Sequence, residues 1–373
     1  MIKPSTLLLV LLLASSPAAA QRPPLVVPDD PNLVLEVLPP GYTGLSAPAL
    51  PGDAQLPRIQ QMLDAAARTG DTRLSTRAQA LLERIEPDKV DADVLRARAF
   101  SAQHRHDFDL SRELLTQVLR RDPSDGGALL SRAQVNIVQG DMTKARSDCA
   151  TLVLRVDAGL GTICTAALQL RLGDYPSAAR LADRWIAGSD ASASMQRFVL
   201  MMRGDIASRM GATDATRFYQ RALALDQQDV RTRLAFARHL RRIGQPREAI
   251  AVLRSAAASD TVLLQRTLAA REAGLPDAKQ WADQLAKSFE LARQTGTDTE
   301  LRDEAEYFLV VRQNPERGLQ LALENFRTQR DLEDEELLER AAKAMRRPEA
   351  LQTLRDWRKS QQMPAAHARE NQP

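Results

Sequence analysis

The 373-residue chain is poor in the residues on which most site chemistry depends. Two cysteines, Cys149 and Cys164, exclude a disulfide-dense scaffold and a four-thiolate zinc site. Four histidines are scattered, and only His104 and His106 lie close together. Aromatic residues make up 4% of the chain, too few for a base-stacking surface or a sugar-binding platform. Charge of one sign is missing as well: 51 basic residues face 48 acidic ones, so no global field draws the chain to nucleic acid or an anionic membrane. Beyond residue 13 no apolar run approaches the roughly 20 residues that span a bilayer. The phosphate-cradling glycine loop, H-E-x-x-H, G-x-S-x-G and C-x-x-C are all absent. Gly159-Leu160-Gly161 starts like a dinucleotide loop, but no strand precedes it and position 164 is cysteine. No catalytic residue, cofactor site or metal site is therefore assigned.

Three kinds of segment are present. Lys3, the run Leu7 to Leu13 and Ala18-Ala19-Ala20 have the layout of a cleaved secretory signal peptide, residues 1–20. The expectation is export to the periplasm. Residues 21–57 carry nine of the 20 prolines, a density that reads as an extended linker. Within it, Leu33-Val34-Leu35-Glu36-Val37-Leu38 reads as an edge strand or apolar linker, as a segment lying on the chain's own helices, or as a display segment. Residues 58–358 repeat apolar positions every three or four, as helices do. Residues 359–373 read as a polar tail.

The helical part has a longer period. Glycine turns occur at Gly70, Gly140, Gly173, Gly211, Gly244 and Gly274. Gly140 to Gly173 and Gly211 to Gly244 are each 33 residues apart. Such spacing marks stacked supersecondary units. Pro176, Pro246, Pro276, Pro315 and Pro348 open apolar runs, where a missing N–H has no helical partner to lose. Ala133, Ala166 and Ala237 precede their glycines by seven residues, and Ala145, Ala178 and Ala249 follow by five. Small residues there let two antiparallel helices approach closely. The pattern predicts about eight helix pairs.

Units at about 92–125, 126–158, 159–192, 196–229 and 230–259, with Ala215, Tyr219 and Ala222 in one second helix, resemble the tetratricopeptide-repeat family. The resemblance implies an all-α, right-handed superhelical solenoid whose first helices line a concave groove. It implies binding of a peptide or protein surface there, and no catalysis. The expected partner is another exported protein held by a periplasmic adaptor; the alternative is an accessory factor for assembly or export of envelope polysaccharide or outer-membrane proteins. Nucleic acid and a stable membrane span are not expected. The family's carboxylate clamp is missing, since its places carry Leu130, Gln134, Leu160 and Ala167.

Arg231, Arg238, Arg241 and Arg242 lie on one first helix, at spacings that put Arg231, Arg238 and Arg241 or Arg242 on one face, which the resemblance implies points into the groove. They are candidate contacts for a partner's acidic groups, or else a solvated face. Met195, Met201, Met202 and Met210 are core fillers or an adaptable groove wall. Cys149 lies on a second helix and Cys164 on the next first helix, about equally far from the reversal at Val156 to Gly161. In an oxidising compartment that placement predicts a disulfide between them.

Overall fold

A computed structural model describes residues 52–70, 72–86, 89–188, 190–295 and 300–363. The signal-peptide reading, the segment 33–38 and most of the linker and tail lie outside the described residues. Among those described, eighteen α-helices and no strand occur. They run as nine successive pairs: α1 (Gly52–Thr69) with α2 (Thr72–Glu83), α3 (Ala92–His104) with α4 (Phe108–Arg121), α5 (Gly126–Gln139) with α6 (Met142–Thr151), α7 (Ala158–Leu172) with α8 (Tyr175–Gly188), and α9 (Ala193–Arg209) with α10 (Ala215–Leu225). The series continues with α11 (Val230–Arg242) and α12 (Pro246–Leu253), α13 (Asp260–Glu272) and α14 (Asp277–Thr295), α15 (Leu301–Glu306) and α16 (Pro315–Asn325), and α17 (Leu332–Ala344) and α18 (Gln352–Ser360).

Each boundary has a local cause. All six glycines of the repeat turns have φ between +64° and +87°, the left-handed conformation that costs any other side chain about 1–2 kcal/mol. Where the pattern lacks glycine, His106, Gln313 and Arg346 adopt it instead. The helices then start on aspartate caps. Asp91, Asp125 and Asp157 open first helices and Asp107 and Asp141 open second helices, each carboxylate accepting from the backbone N–H three residues on. Pro246 and Pro315 occupy the first helical position.

Packing follows the small-residue reading. Ala133, Ala166, Ala237, Ala145, Ala178 and Ala249 are all fully buried. Apolar clusters succeed one another along the chain, each shared by neighbouring pairs. No pair buries its apolar face alone, so the stack is held by nearest neighbours. Met202 is core, Met195 and Met201 pack partly buried against it, and Met210 is exposed.

Two boundaries differ from the sequence reading. Helix α1 begins at Gly52, inside the expected linker, with Pro57 within it. A proline at the sixth helical position removes one bond near the helix start, and Ile59, Leu63 and Ala66 offset that loss by complete or nearly complete burial. At the other end, residues 359–363 belong to the fold. The Met363 side chain is buried with Ile137 and Met142, and Gln361 accepts from the Met142 N–H at 3.0 Å. Counting α17 and α18, the described residues hold nine pairs where about eight were expected.

Cys149 on α6 and Cys164 on α7 form a disulfide with a Cα separation of 5.3 Å. Between them, residues Leu152–Val156 widen to a π-type turn in which the Asp157 N–H reaches the Leu152 carbonyl. Alkylation of denatured protein is expected to label no cysteine before reduction and two afterwards. Two labelled thiols without reduction would remove the bridge.

Candidate functional site

The solenoid coils back on itself, so distant units touch. Gly70 lies against Val230, and His106 lies 3.3 Å from Glu300. The α5–α6 turn receives the last unit: the Arg330 N–H donates to the Val138 carbonyl at 2.7 Å, and the Trp357 indole donates to the Gly140 carbonyl at 3.0 Å. This leaves two stretches of inner face with different fates.

One stretch is filled by the chain's own α17. First helices α7, α9, α11 and α15 direct Arg171, Arg209, Arg238 and Arg302 toward its acidic start. Arg171 meets Glu335 at 2.5 Å, and Arg358 of α18 meets the same carboxylate at 2.8 Å from the other side. All three side chains are at most 5% exposed. Arg209 pairs with Glu333 at 2.9 Å and also with Glu336. Burial works against ionisation of Glu333, but Arg209, Arg238 and Arg302 override it and hold the carboxyl well below its usual range. The acidic start of α17 therefore has a tertiary role beyond favouring its own helix dipole.

The arginine row is accordingly spent on intramolecular partners. Arg238 faces Glu333 and Asp205. Arg241 pairs with Glu272 at 2.7 Å and donates to Gln265 at 2.6 Å. Arg242 donates to the Ser208 hydroxyl at 2.7 Å. Arg231 is exposed and lies 3.4 Å from the His104 imidazole. Helix periodicity put the row on one helix correctly; the partners on α3, α9, α13 and α17 are 24 to 127 residues away in the chain, and no local pattern reveals them.

The other stretch is a recess of about 290 Å³ between first helices α1, α3 and α5. Gln60, Leu63, Arg96, Phe100, Gln103 and Ser131 line it. Arg96 pairs with Asp93 and Asp125, which fixes its guanidinium at the wall. The His104 ring, outside the lining of the recess, meets Phe100 edge-on at 4.5 Å. Burial pushes the His104 imidazole down to about 4, helped by Arg231 and His106, and it is neutral at pH 7. The His104–His106 pair thus belongs to the protein's own packing, and among the described residues no group of three or more His, Cys, Asp or Glu side chains is arranged to hold a metal ion. The recess was not singled out by the sequence reading; Phe100 and Gln103 looked like ordinary helix positions there.

No family model matches the chain. Among curated proteins it is similar to cellulose synthase operon protein C of Escherichia coli K12, 30% identical over 158 residues. That match covers 42% of this chain but 13% of the relative, so the chain spans about an eighth of the relative's length. Among solved structures, the Cut9–Hcn1 hetero-tetramer of the APC/C gives a TM-score of 0.55 at 15% identity, covering 85% of this chain and 62% of that one. The chain is a tetratricopeptide-repeat-like solenoid. A tetratricopeptide repeat protein from Parabacteroides merdae matches with a TM-score of 0.41 at 15% identity, over 67% of this chain and 98% of that one. No helix of the described residues is long and apolar enough to cross a membrane.

Proposed function

We propose that this chain is a non-catalytic adaptor of the bacterial periplasm that holds a segment of another exported or envelope protein in the recess of α1, α3 and α5. The observation that carries the reading is the recess itself. It pairs an apolar floor, Leu63 and Phe100, with hydrogen-bonding groups, Gln60, Gln103 and Ser131, and with the charged side chains of Asp64, Asp93 and Arg96. Apolar pockets with a few placed polar groups fit an extended or helical peptide. The signal-peptide layout and the disulfide support an oxidising compartment.

A photo-crosslinker at Gln103 is expected to give one discrete product in the producing cell. A crosslinker at exposed Lys144 on α6 should give none. Equal products from both positions would refute the recess as the binding site.

A second reading has its own support in the likeness to the cellulose synthase operon protein. In it, the held partner belongs to machinery that assembles or exports an envelope polysaccharide, and the chain is its accessory subunit. Deletion of the gene should then abolish the exported polysaccharide while leaving other secreted proteins at normal levels. Unchanged polysaccharide output would remove this reading and leave the adaptor reading intact.

A further inference from the structure

The second helices carry a set of arginines that the fold itself leaves unused. Arg180 and Arg184 stand two and six residues after Ala178 on α8, and Arg217 and Arg221 two and six residues after Ala215 on α10. Ala178 and Ala215 are fully buried, and so are Ala182 and Tyr219 four residues further on, to within 1%. The two helices therefore share one register, and the arginines repeat at equivalent places, one turn apart on each helix. All four are exposed. Arg180 donates to the Ser177 hydroxyl of its own helix at 2.9 Å. Among the described residues, the side chains of Arg184, Arg217 and Arg221 have no hydrogen bond or ion pair. Arg203 of α9 ties the two columns together. It donates to Asp183 of α8 at 2.8 and 3.1 Å and lies over the Phe218 ring of α10 at 4.5 Å, with Arg221 6.0 Å from the same ring. Asp183 is thereby taken; α8 holds no other acid and α10 holds none. Asp174 and Asp214 stand just before the two helices, Asp174 as a cap that accepts from the Ser177 N–H.

Folding does not account for this arrangement, because like charges one turn apart weaken a helix. On the second helix α4, by contrast, arginines pair within their own helix: Arg112 meets Asp109 at 2.6 Å and Arg120 meets Glu113 at 3.5 Å. We propose that the exposed face of α8 and α10 is a second docking surface, which takes an acidic helical segment of a protein partner. The form of the partner follows from the pitch. Carboxylates at i and i+4 of a helix lie one turn apart, as Arg180 and Arg184 do, and Arg217 and Arg221. Guanidinium forks take carboxylates through two parallel hydrogen bonds. A helix with acids on two flanks meets both columns at once. The Arg203–Asp183 pair between them is already satisfied and leaves the four outer cations to the partner. The array stands on second helices, whereas first helices α1, α3 and α5 make the recess, so the two surfaces fill independently.

Fluorescence anisotropy with the full chain tests this face apart from the recess. The probe is a labelled alanine-based helical peptide with Glu at i, i+1, i+4 and i+5, which puts one-turn pairs on two flanks. In low salt it should bind about tenfold tighter than the same peptide with its four Glu spread around the helix, and the advantage should shrink as salt rises. Arg180→Glu, Arg184→Glu, Arg217→Glu and Arg221→Glu together should remove the advantage. The four Arg→Gln replacements should do the same without adding acid, and they keep the test valid if charge reversal disturbs folding. Arg146→Glu, Arg155→Glu, Arg247→Glu and Arg254→Glu make the same change in net charge at exposed places on or beside α6 and α12, and should leave binding within about twofold. Equal loss in the two reversed sets overturns the proposal, because net charge alone would then explain binding. Equal affinity for the two peptides also overturns it. Vesicles of phosphatidylglycerol and phosphatidylcholine should not displace the probe; displacement by them would assign the face to lipid and overturn the protein reading. The crosslink from Gln103 in the recess should persist in the Arg→Gln chain, so failure here leaves the adaptor reading untouched.

Discussion

Glu335→Ala is expected to destabilise the fold by about 3–5 kcal/mol, the range for removing one partner of a buried ion pair. The Glu335 carboxylate is the shared anion between Arg171 and Arg358, and all three groups are buried. Without it, two guanidinium groups remain in a site of low dielectric with no counter-charge between them. Neither can be neutralised by losing a proton, because arginine stays charged in proteins. Arg171 also lies over the Trp357 ring at 5.0 Å, so the repulsion acts on the side chain that anchors the last unit. The denaturation midpoint in urea measures the loss. A replacement of all three members by apolar residues of similar volume, Arg171→Met, Glu335→Leu and Arg358→Met, should recover most of the stability, since no charge is then left to desolvate. A loss under about 1 kcal/mol for Glu335→Ala would show that water reaches the triad.

Gly140→Ala and Gly211→Ala should differ sharply although both glycines have φ near +75°: +80° and +69°. The backbone strain of about 1–2 kcal/mol is common to both. A Cβ at Gly211 meets nothing within 4 Å, whereas one at Gly140 would lie 2.7 Å from the Trp357 indole nitrogen and 2.8 Å from the Arg330 side chain. The indole is held there by its bond to the Gly140 carbonyl, so it cannot yield without breaking the joint. Overpacking of this kind adds about 1–3 kcal/mol. Gly140→Ala is thus expected to cost about 2–5 kcal/mol in total, and also to raise acrylamide quenching of Trp357. Equal melting temperatures in the two variants would show that Trp357 does not press on the turn.

The repeat architecture was legible because it is local. The residue that ends a helix, the residue that caps the next and the alanines between them recur within one unit of about 33 residues. Gly140, Asp141 and Ala145 each do their work within a few residues of their own position. The disulfide was legible for the same reason: Cys149 and Cys164 are 15 residues apart across one reversal. The proline of α1 misled because Pro57 is judged by its neighbours in sequence, while the helix is decided by what Ile59 and Leu63 bury.

Sequence alone determined the helix pairs, their glycine turns and the bridge between α6 and α7. Only the tertiary structure decided what the arginines face, and which part of the inner face stays open as a recess. The physical reason is the way a solenoid accumulates geometry. Each stacking step is set by contacts between neighbours, but small rotations add over several units before the chain meets itself. Arg209 and Glu333 are 124 residues apart and Arg171 and Glu335 are 164 apart. Their meeting depends on the sum of all the intervening rotations, a quantity that no single repeat encodes.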